Sequence, residues 1–337
     1  MATRVAINGF GRIGRTIFKS LIDRKIPLEV VAINDLGETE ELAHLLKYDS
    51  VHGVWPHEVS SIAGNELIVD GKSFKCTKIS DPAQSPWHEL KAFVILECSG
   101  RFVDRESCQK HITAGAKKVI VTAPGKGMDA TFVIGVNEGT YDPRVHHIVS
   151  NASCTTNCLA PIVSQLHDRF VIEHGLMTTI HSYTMDQRLL DALHKDRRRT
   201  RAAALSMIPT TTGAARAVAE VIPEMKGKLD GFAVRVPTPN VSLVDFVCRV
   251  GQDVTREEVN KVMEEAAKGP LKGILQYVTD SLVSVDFNHT SFSSNVDAQL
   301  TSVIGNRMVK VCSWYDNEYG YSSRVTELAA MMGEMLE

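Results

Sequence analysis

The sequence predicts an α/β chain in two parts: a parallel sheet flanked by helices, then an α+β half built on a mostly antiparallel sheet. Three observations carry that prediction. Short β-branched runs alternate with helical stretches through the first half, the pattern of βαβ units. A glycine cluster, Gly9-Phe10-Gly11-Arg12-Ile13-Gly14, stands where the first such run gives way to the first helix. Beyond residue 153 the short runs are replaced by long strand patterns joined without regular helices.

The elements follow in order. RVAING reads as a strand, GRIGRTIFKSLIDR as a helix, LEVVAIND as a strand and ETEELAHLLKY as a helix. Apolar runs at Phe93–Glu97, Lys118–Thr122 and His147–Ser150 are closed by Gly, Pro, Ser or Asn and extend the same sheet. The polar stretch from Val51 to Pro82 reads as an antiparallel insertion with a turn at Asp70-Gly71. In the second half, a helix is expected over Thr155–Arg169, with strands at Leu176–Ser182, Gly231–Val236, Val241–Val250 and Met308–Trp314. Helices are expected near Thr212–Val221 and over Thr255–Lys268, the latter opened by Thr255 and Glu258 in capping-box spacing. A last helix, about Tyr321–Leu336, is expected to return to the first part. The domains are thus drawn as 1–153, joined by 318–337, and 154–317.

The bulk composition narrows the function class. At 337 residues, 44% hydrophobic and 23% charged, the chain has room for two globular domains of about 150 residues each. A formal net charge of -3 gives no global reason to expect nucleic acid or an anionic membrane as partner. No secretory-signal pattern is legible, and no apolar run approaches the roughly 20 residues that span a bilayer. Seven scattered cysteines without paired spacing argue against a disulfide framework, so a cytoplasmic protein is expected. Cys154 and Cys158 are a close pair, but two thiols are too few for zinc, and no metal is expected.

The glycine cluster follows a strand and opens a helix, the context a dinucleotide fingerprint requires and the signature of a Rossmann domain. Gly9 would allow the tight turn, Gly11 the approach of backbone to a pyrophosphate, and Gly14 close packing of helix on strand. The helix N-terminus adds free N–H groups and positive dipole. Asp35 ends the second strand at about the expected spacing of 20 residues, where its carboxylate can bind both ribose hydroxyls. An acid there favours NAD by repelling a 2′-phosphate. Leu36-Gly37 leaves space beside it, and Lys78 or an Arg from a neighbouring segment could neutralise an extra phosphate, so NADP stays open as a second coenzyme.

Cys154 sits where a strand gives way to a helix, at or just before the helix N-terminus, where dipole and unpaired N–H groups stabilise a thiolate. A lone cysteine is more often an inert core residue, but Ser153, Thr155, Thr156 and Asn157 make this a polar site. His181 ends the strand Leu176–Ser182, with Met177, Thr179 and His181 on one face. A Cys and a His so placed suggest nucleophile and base.

Five ordered blocks then resemble the phosphorylating glyceraldehyde-3-phosphate dehydrogenase family: ASCTTNC at Ala152–Cys158, HSYT at His181–Thr184, IPTTTGAA at Ile208–Ala215, RVPTPN at Arg235–Asn240 and WYDNEYGYS at Trp314–Ser322. The resemblance runs from INGFGRIGR to the last helix. It implies that Cys154 is the nucleophile and His181 the base in oxidation of an aldehyde to a thioester, which inorganic phosphate then cleaves. It implies that Thr184 and Arg235 hold the substrate phosphate, that Ser153, Thr155, Thr212 and Gly213 hold the attacking phosphate, and that Arg199 lies close to both. It implies that Asn317 binds the nicotinamide carboxamide with Tyr321 nearby, and that Arg12, Ile13, Lys78, Ser99 and Thr122 make further cofactor contacts. A homotetramer is implied by family alone.

Ala192-Leu193 stands where strictly NAD-using bacterial members carry Leu-Pro, which resembles dual-specificity members. The run Arg197–Arg201 contains four arginines, but its position borders the active site and a subunit interface in the family, against a nucleic-acid role. The rival readings are erythrose-4-phosphate dehydrogenase, whose thioester is released by water, and a thiol redox sensor or binding protein that uses Cys154 without turnover.

Overall fold

The computed structural model describes residues 2–62 and 65–335. The chain folds as two compact units, 1–132 with 138–152 and 322–337, and 133–137 with 153–321. The first unit contains, in order, β1 (Thr3–Asn8), α1 (Arg12–Asp23), β2 (Leu28–Asn34), α2 (Thr39–Lys47), β3 (Tyr48–Asp49), β4 (Gly53–Val54), β5 (Val59–Ile62), β6 (Glu66–Val69) and β7 (Lys72–Thr77). It continues with β8 (Val94–Glu97), α3 (Arg105–Thr113), β9 (Lys118–Val121), β10 (Ala130–Thr131) and β11 (Ile148–Ser150). Its sheet runs β10-β11-β9-β8-β1-β2-β7-β6-β5, parallel from β10 to β7 and antiparallel over β7, β6 and β5.

Central strands β8, β9 and β11 are buried along their whole length, as a sheet covered on both faces requires. The expected insertion is the antiparallel edge, and its turn at Asp70-Gly71 puts both residues at positive φ. Strand order reverses about β1, so the carboxyl ends of β1 and β8 open the crevice where ligands bind in such sheets.

The second unit contains α4 (Cys154–Phe170), β12 (Ile172–Ser182), β13 (Ile208–Thr211), α5 (Ala214–Val221), β14 (Leu229–Val236), β15 (Ser242–Val250) and α6 (Arg256–Lys268). It ends with β16 (Leu275–Val278), β17 (Ser294–Asp297), β18 (Ser302–Ile304), β19 (Met308–Tyr315) and the start of α7 (Tyr319–Glu334). Its sheet, β13-β14-β12-β15-β19-β17-β16, is antiparallel except at β12/β14 and β16/β17, with β18 added antiparallel to β19. Helices α5 and α6 interrupt the strands at the expected places, and α6 carries the full Thr255/Glu258 capping box. Strands β13, β16 and β17 have no counterpart in the sequence reading, because four-residue runs lack enough alternation to register as strands.

Over Gly175–His181 of β12 and along β15 burial alternates residue by residue, so one face is core and the other is open. Met177, Thr179 and His181 lie on the buried face, while Leu176, with Phe232 of β14 and Met308 of β19, stays largely exposed. From Ser322 onward α7 belongs to the first unit, where Arg24, just after α1, reaches Ser323 O at 3.3 Å and Glu327 Oε1 at 2.5 Å; the expected helix end at Leu336 lies outside the described residues. Among the described residues, no helix is long and apolar enough to cross a membrane.

Candidate active site

In the first unit, the glycine loop behaves as the sequence suggests. Gly9 has φ +93°, and a Cβ there would lie 2.5 Å from Ser99 N; a Cβ on Gly14 would lie 2.1 Å from Gly9 O. A Cβ on Gly11 meets nothing within 4 Å, so this is the point of the loop open to another molecule. Gly11 is the N-cap of α1 with no side-chain cap, and no acid occupies the first turn, which leaves the helix start free to meet an anion.

Asp35 ties the loop to the second strand. Its Oδ2 accepts from Phe10 N at 2.6 Å and its Oδ1 from Gly37 N at 3.0 Å. Two bonds leave a carboxylate further acceptor capacity, so the residue fits a ribose diol as well. Ser99 and Thr122 follow β8 and β9; Ser99 donates N–H to Glu97 Oε1 at 2.8 Å, and Thr122 Oγ1 donates to Glu97 O at 2.9 Å. Arg12 and Ile13 open α1, and Arg12 pairs with Asp49 at 3.2 Å. Lys78 pairs with the Glu38 carboxylate on the surface of this unit.

In the second unit, Ser153 is the N-cap of α4 and Cys154 its first helical residue. Ala152, just before them, adopts φ 56°, a left-handed conformation uncommon for a residue with a Cβ, and this tight turn brings the cysteine to the helix start. Ser153 Oγ accepts from Thr156 N at 3.0 Å. The Cys154 sulfur lies 3.5 Å from His181 Nε2. Burial pushes the thiol up, opposed by Arg235 and by the Thr155 N–H group beside the sulfur. Burial and then Arg235 push His181 down, to about 3. Both shifts favour the neutral forms of the pair, thiol and imidazole.

The imidazole has a defined setting. His181 Nδ1 is 2.7 Å from Ser182 O, and Arg235 Nη1 lies 2.9 Å from that carbonyl and 2.8 Å from Nδ1. A carbonyl oxygen only accepts, so we assign the proton to Nδ1 and let both it and Arg235 donate to Ser182 O. Nε2 then presents its lone pair to Cys154.

Tyr315, which the sequence reading left unassigned although it stands in the WYDNEYGYS block, joins the two halves of this site. Its hydroxyl lies 2.8 Å from both Thr155 Oγ1 and Thr179 Oγ1, and its ring meets His181 edge-on. The Thr155 hydroxyl is thereby committed inside the protein, and what it can offer a ligand is its backbone N–H at the start of α4. Thr156 Oγ1 donates to Ala214 O at 3.3 Å, bringing the first turn of α4 to the first turn of α5. Thr212 and Gly213 immediately precede α5; Thr212 Oγ1 accepts from Ala214 N at 3.2 Å, and Gly213 has open space about it.

Thr184 and Arg199 meet at a carboxylate that the sequence did not single out. Asp186 accepts from both, and Arg199 Nη2 donates to Thr211 O at 3.3 Å. Of the neighbouring arginines, Arg201 pairs with Asp191 at 3.0 Å. Asn317 is oriented by two serines: its Oδ1 accepts from Ser182 Oγ at 2.8 Å and Ser242 Oγ at 2.9 Å. The amide N–H groups are left to donate elsewhere. Tyr321 is buried. Cys154, His181, Arg235, Ser153, Thr155, Thr184, Arg199, Thr212 and Gly213 are thus linked within one unit, whereas the nucleotide-type residues from Gly9 to Thr122 gather on the other.

The family comparisons agree with this layout. Residues 3–105 match the NAD binding domain of glyceraldehyde 3-phosphate dehydrogenase, and residues 153–317 match its C-terminal domain. The chain is 57% identical over 330 residues to glyceraldehyde-3-phosphate dehydrogenase of Geobacillus stearothermophilus, covering 98% of each. It is 56% identical over 332 residues to glyceraldehyde-3-phosphate dehydrogenase 2 of Trichormus variabilis, again 98% of each. It is 55% identical over 328 residues to the chloroplastic A form of Zea mays, covering 97% of this chain and 81% of that one. With its glycine loop, its paired Cys154 and His181 and matches over both halves, the chain belongs to the glyceraldehyde-3-phosphate dehydrogenase family.

Proposed function

We propose that this protein oxidises D-glyceraldehyde 3-phosphate to 1,3-bisphosphoglycerate with NAD and inorganic phosphate, through a thioester on Cys154. The observation that carries the proposal is the Cys154 sulfur 3.5 Å from His181 Nε2 at the start of a helix. His181 takes the thiol proton as the sulfur adds to the aldehyde carbon. The imidazolium returns that proton to the former aldehyde oxygen, giving the hemithioacetal hydroxyl, and the neutral imidazole takes it back as a hydride leaves that carbon. NAD supplies the hydride acceptor when bound; on the first unit Gly9, Gly11, Arg12, Ile13, Gly14, Asp35, Lys78, Ser99 and Thr122 are proposed as its contacts, and on the second Asn317, with Tyr321 near it, is proposed to bind the nicotinamide carboxamide. The open Gly11 and the uncapped start of α1 support that fit.

Thr184 and Arg235 hold the substrate phosphate, with Arg199 near both anions. Ser153, Thr212 and Gly213, with the N–H of Thr155, receive the inorganic phosphate whose oxygen displaces the sulfur. Two adjoining helix starts, α4 and α5, support an anion at that point. Hydrolytic release, the erythrose-4-phosphate reading, is not favoured by relatives that carry the triose phosphate name.

NADP as a second coenzyme is proposed on the Ala192-Leu193 pair, although the Glu38–Lys78 pairing weighs against it. A homotetramer is proposed from the family, and the exposed Leu176, Phe232 and Met308 on the open sheet face suit burial against another subunit. The free state of all seven cysteines suits a cytoplasmic setting.

The test is a purified-protein assay following reduced coenzyme, with triose phosphate present and NAD, NADP and inorganic phosphate each varied. Acid-quenched protein is analysed by mass spectrometry for an acyl group on Cys154. Turnover should require phosphate and vanish in Cys154→Ser. Sustained turnover without phosphate, or unchanged activity in the variant, overturns the proposal.

A further inference from the structure

Among the groups that read as donors to the substrate phosphate, two are already engaged by a carboxylate of the chain itself. Asp186 lies two residues beyond Thr184, just past the end of β12. Its Oδ1 accepts from Thr184 Oγ1 and its Oδ2 from Arg199 Nη1. Beside it, Arg199 Nε and Arg235 Nε are buried atoms without a hydrogen-bond partner among the described residues. The region is thus rich in donors; Asp186 is the carboxylate that Thr184 and Arg199 share, and Asp196 lies 3.6 Å from Arg199 Nε.

We propose that Asp186 is an internal anion occupying the substrate-phosphate subsite, and that the phosphate group of the substrate must displace it to bind. The inference rests on the triose phosphate reading and deepens it. A threonine hydroxyl has one proton to donate, so Thr184 cannot serve Asp186 and a phosphate oxygen together. Arg199 already pairs with both Asp186 and Asp196, so a phosphate bound there beside an ionised Asp186 would be the third anion on one guanidinium. Burial raises the Asp186 carboxyl, but the Thr184 hydrogen bond, with Arg235 and Arg199, outweighs it and holds the group below its usual range. Entry of a phosphate dianion therefore exchanges one partner of Thr184 and Arg199 for another. Small inorganic anions face the same competitor, so the device weakens sulfate by the same factor as it weakens the substrate.

The test uses the full-length protein with Asp186→Asn, which removes the charge at constant size, and Asp186→Ala, which removes the acceptor. Thermal melts and NAD titration establish that each variant is folded. Removing the competing anion should lower KM for the triose phosphate and tighten inhibition by inorganic sulfate, each about three- to tenfold. A KM that rises or stays constant in a folded variant overturns the proposal, because a carboxylate that merely orients Arg199 produces that result. If wild-type protein does not oxidise the triose phosphate, the functional reading is what fails. Calorimetric titration of sulfate into wild-type and variant protein still decides the displacement, with equal affinities counting against it.

Discussion

Arg235 of β14 stands opposite His181 of β12 in parallel register, with its Nη1 2.8 Å from His181 Nδ1. A fixed cation at that distance opposes a second positive charge on the imidazole. Together with burial, it keeps His181 neutral and able to accept a proton from Cys154.

Loss of the base is the first prediction. His181→Asn should lower kcat by about 10²- to 10⁴-fold, and should slow alkylation of Cys154 by iodoacetamide at neutral pH. Stopped-flow measurement of coenzyme reduction gives the first quantity. A variant within tenfold of wild type means that another group takes the proton.

A pH dependence follows from the neutral pair. Because burial raises the Cys154 thiol, aldehyde oxidation should climb with pH through the neutral and alkaline range. A rate that is flat from pH 6 upward indicates a preformed thiolate and sinks the neutral pair.

Stability should respond to His181 in the acid range. Its folded value, about 3, is below the ordinary 6.5, so between these values the unfolded chain binds a proton that the folded chain does not. This contribution is present above pH 6.5 and is lost progressively as pH falls towards 3. The urea midpoint of His181→Asn should therefore change less than that of wild type between pH 7 and pH 5; equal changes contradict the assignment.

Tyr315→Phe removes the hydroxyl that bonds Thr155 and Thr179. Leaving these buried hydroxyls without that partner should cost about 1–3 kcal/mol in urea unfolding. The loss of kcat should be smaller than for His181→Asn. An unchanged urea midpoint shows that the two threonines find other partners without penalty.

Two glycines of the loop should separate folding from cofactor binding. Gly14→Ala places a methyl 2.1 Å from Gly9 O and should destabilise by about 3 kcal/mol or more. Gly11→Ala meets no neighbour, so its melting temperature should match wild type while NAD affinity falls. Fluorescence titration and thermal melts read both; normal NAD binding by Gly11→Ala removes the reason to place the pyrophosphate there.

Most of the first unit was legible in the sequence, because buried parallel strands read as continuous apolar runs and the turn between β1 and α1 requires glycine. The long strands β12 and β15 were legible for a related reason, since a period of two is visible in Leu176–Ser182, the last seven residues of β12, and along β15. The short strands β13, β16 and β17 were not, because partners supplied from elsewhere in the chain stabilise them. In the site, Cys154 and His181 announced themselves by position and motif. Tyr315 lay unused inside a motif already noticed, and Asp186 gave no local signal.

What the sequence by itself determined was local: which residues can turn, where helices begin, which side chains share a strand face, and hence which residues bear the chemistry. Tertiary structure decided which of these groups meet. It set His181 beside Arg235, turned the Thr155 hydroxyl to Tyr315, gave Lys78 to Glu38, and placed Asp186 between Thr184 and Arg199. The reason is range. Propensity and periodicity act over a few residues, whereas strand register and the choice of one carboxylate among many for a given cation are settled only when distant segments pack.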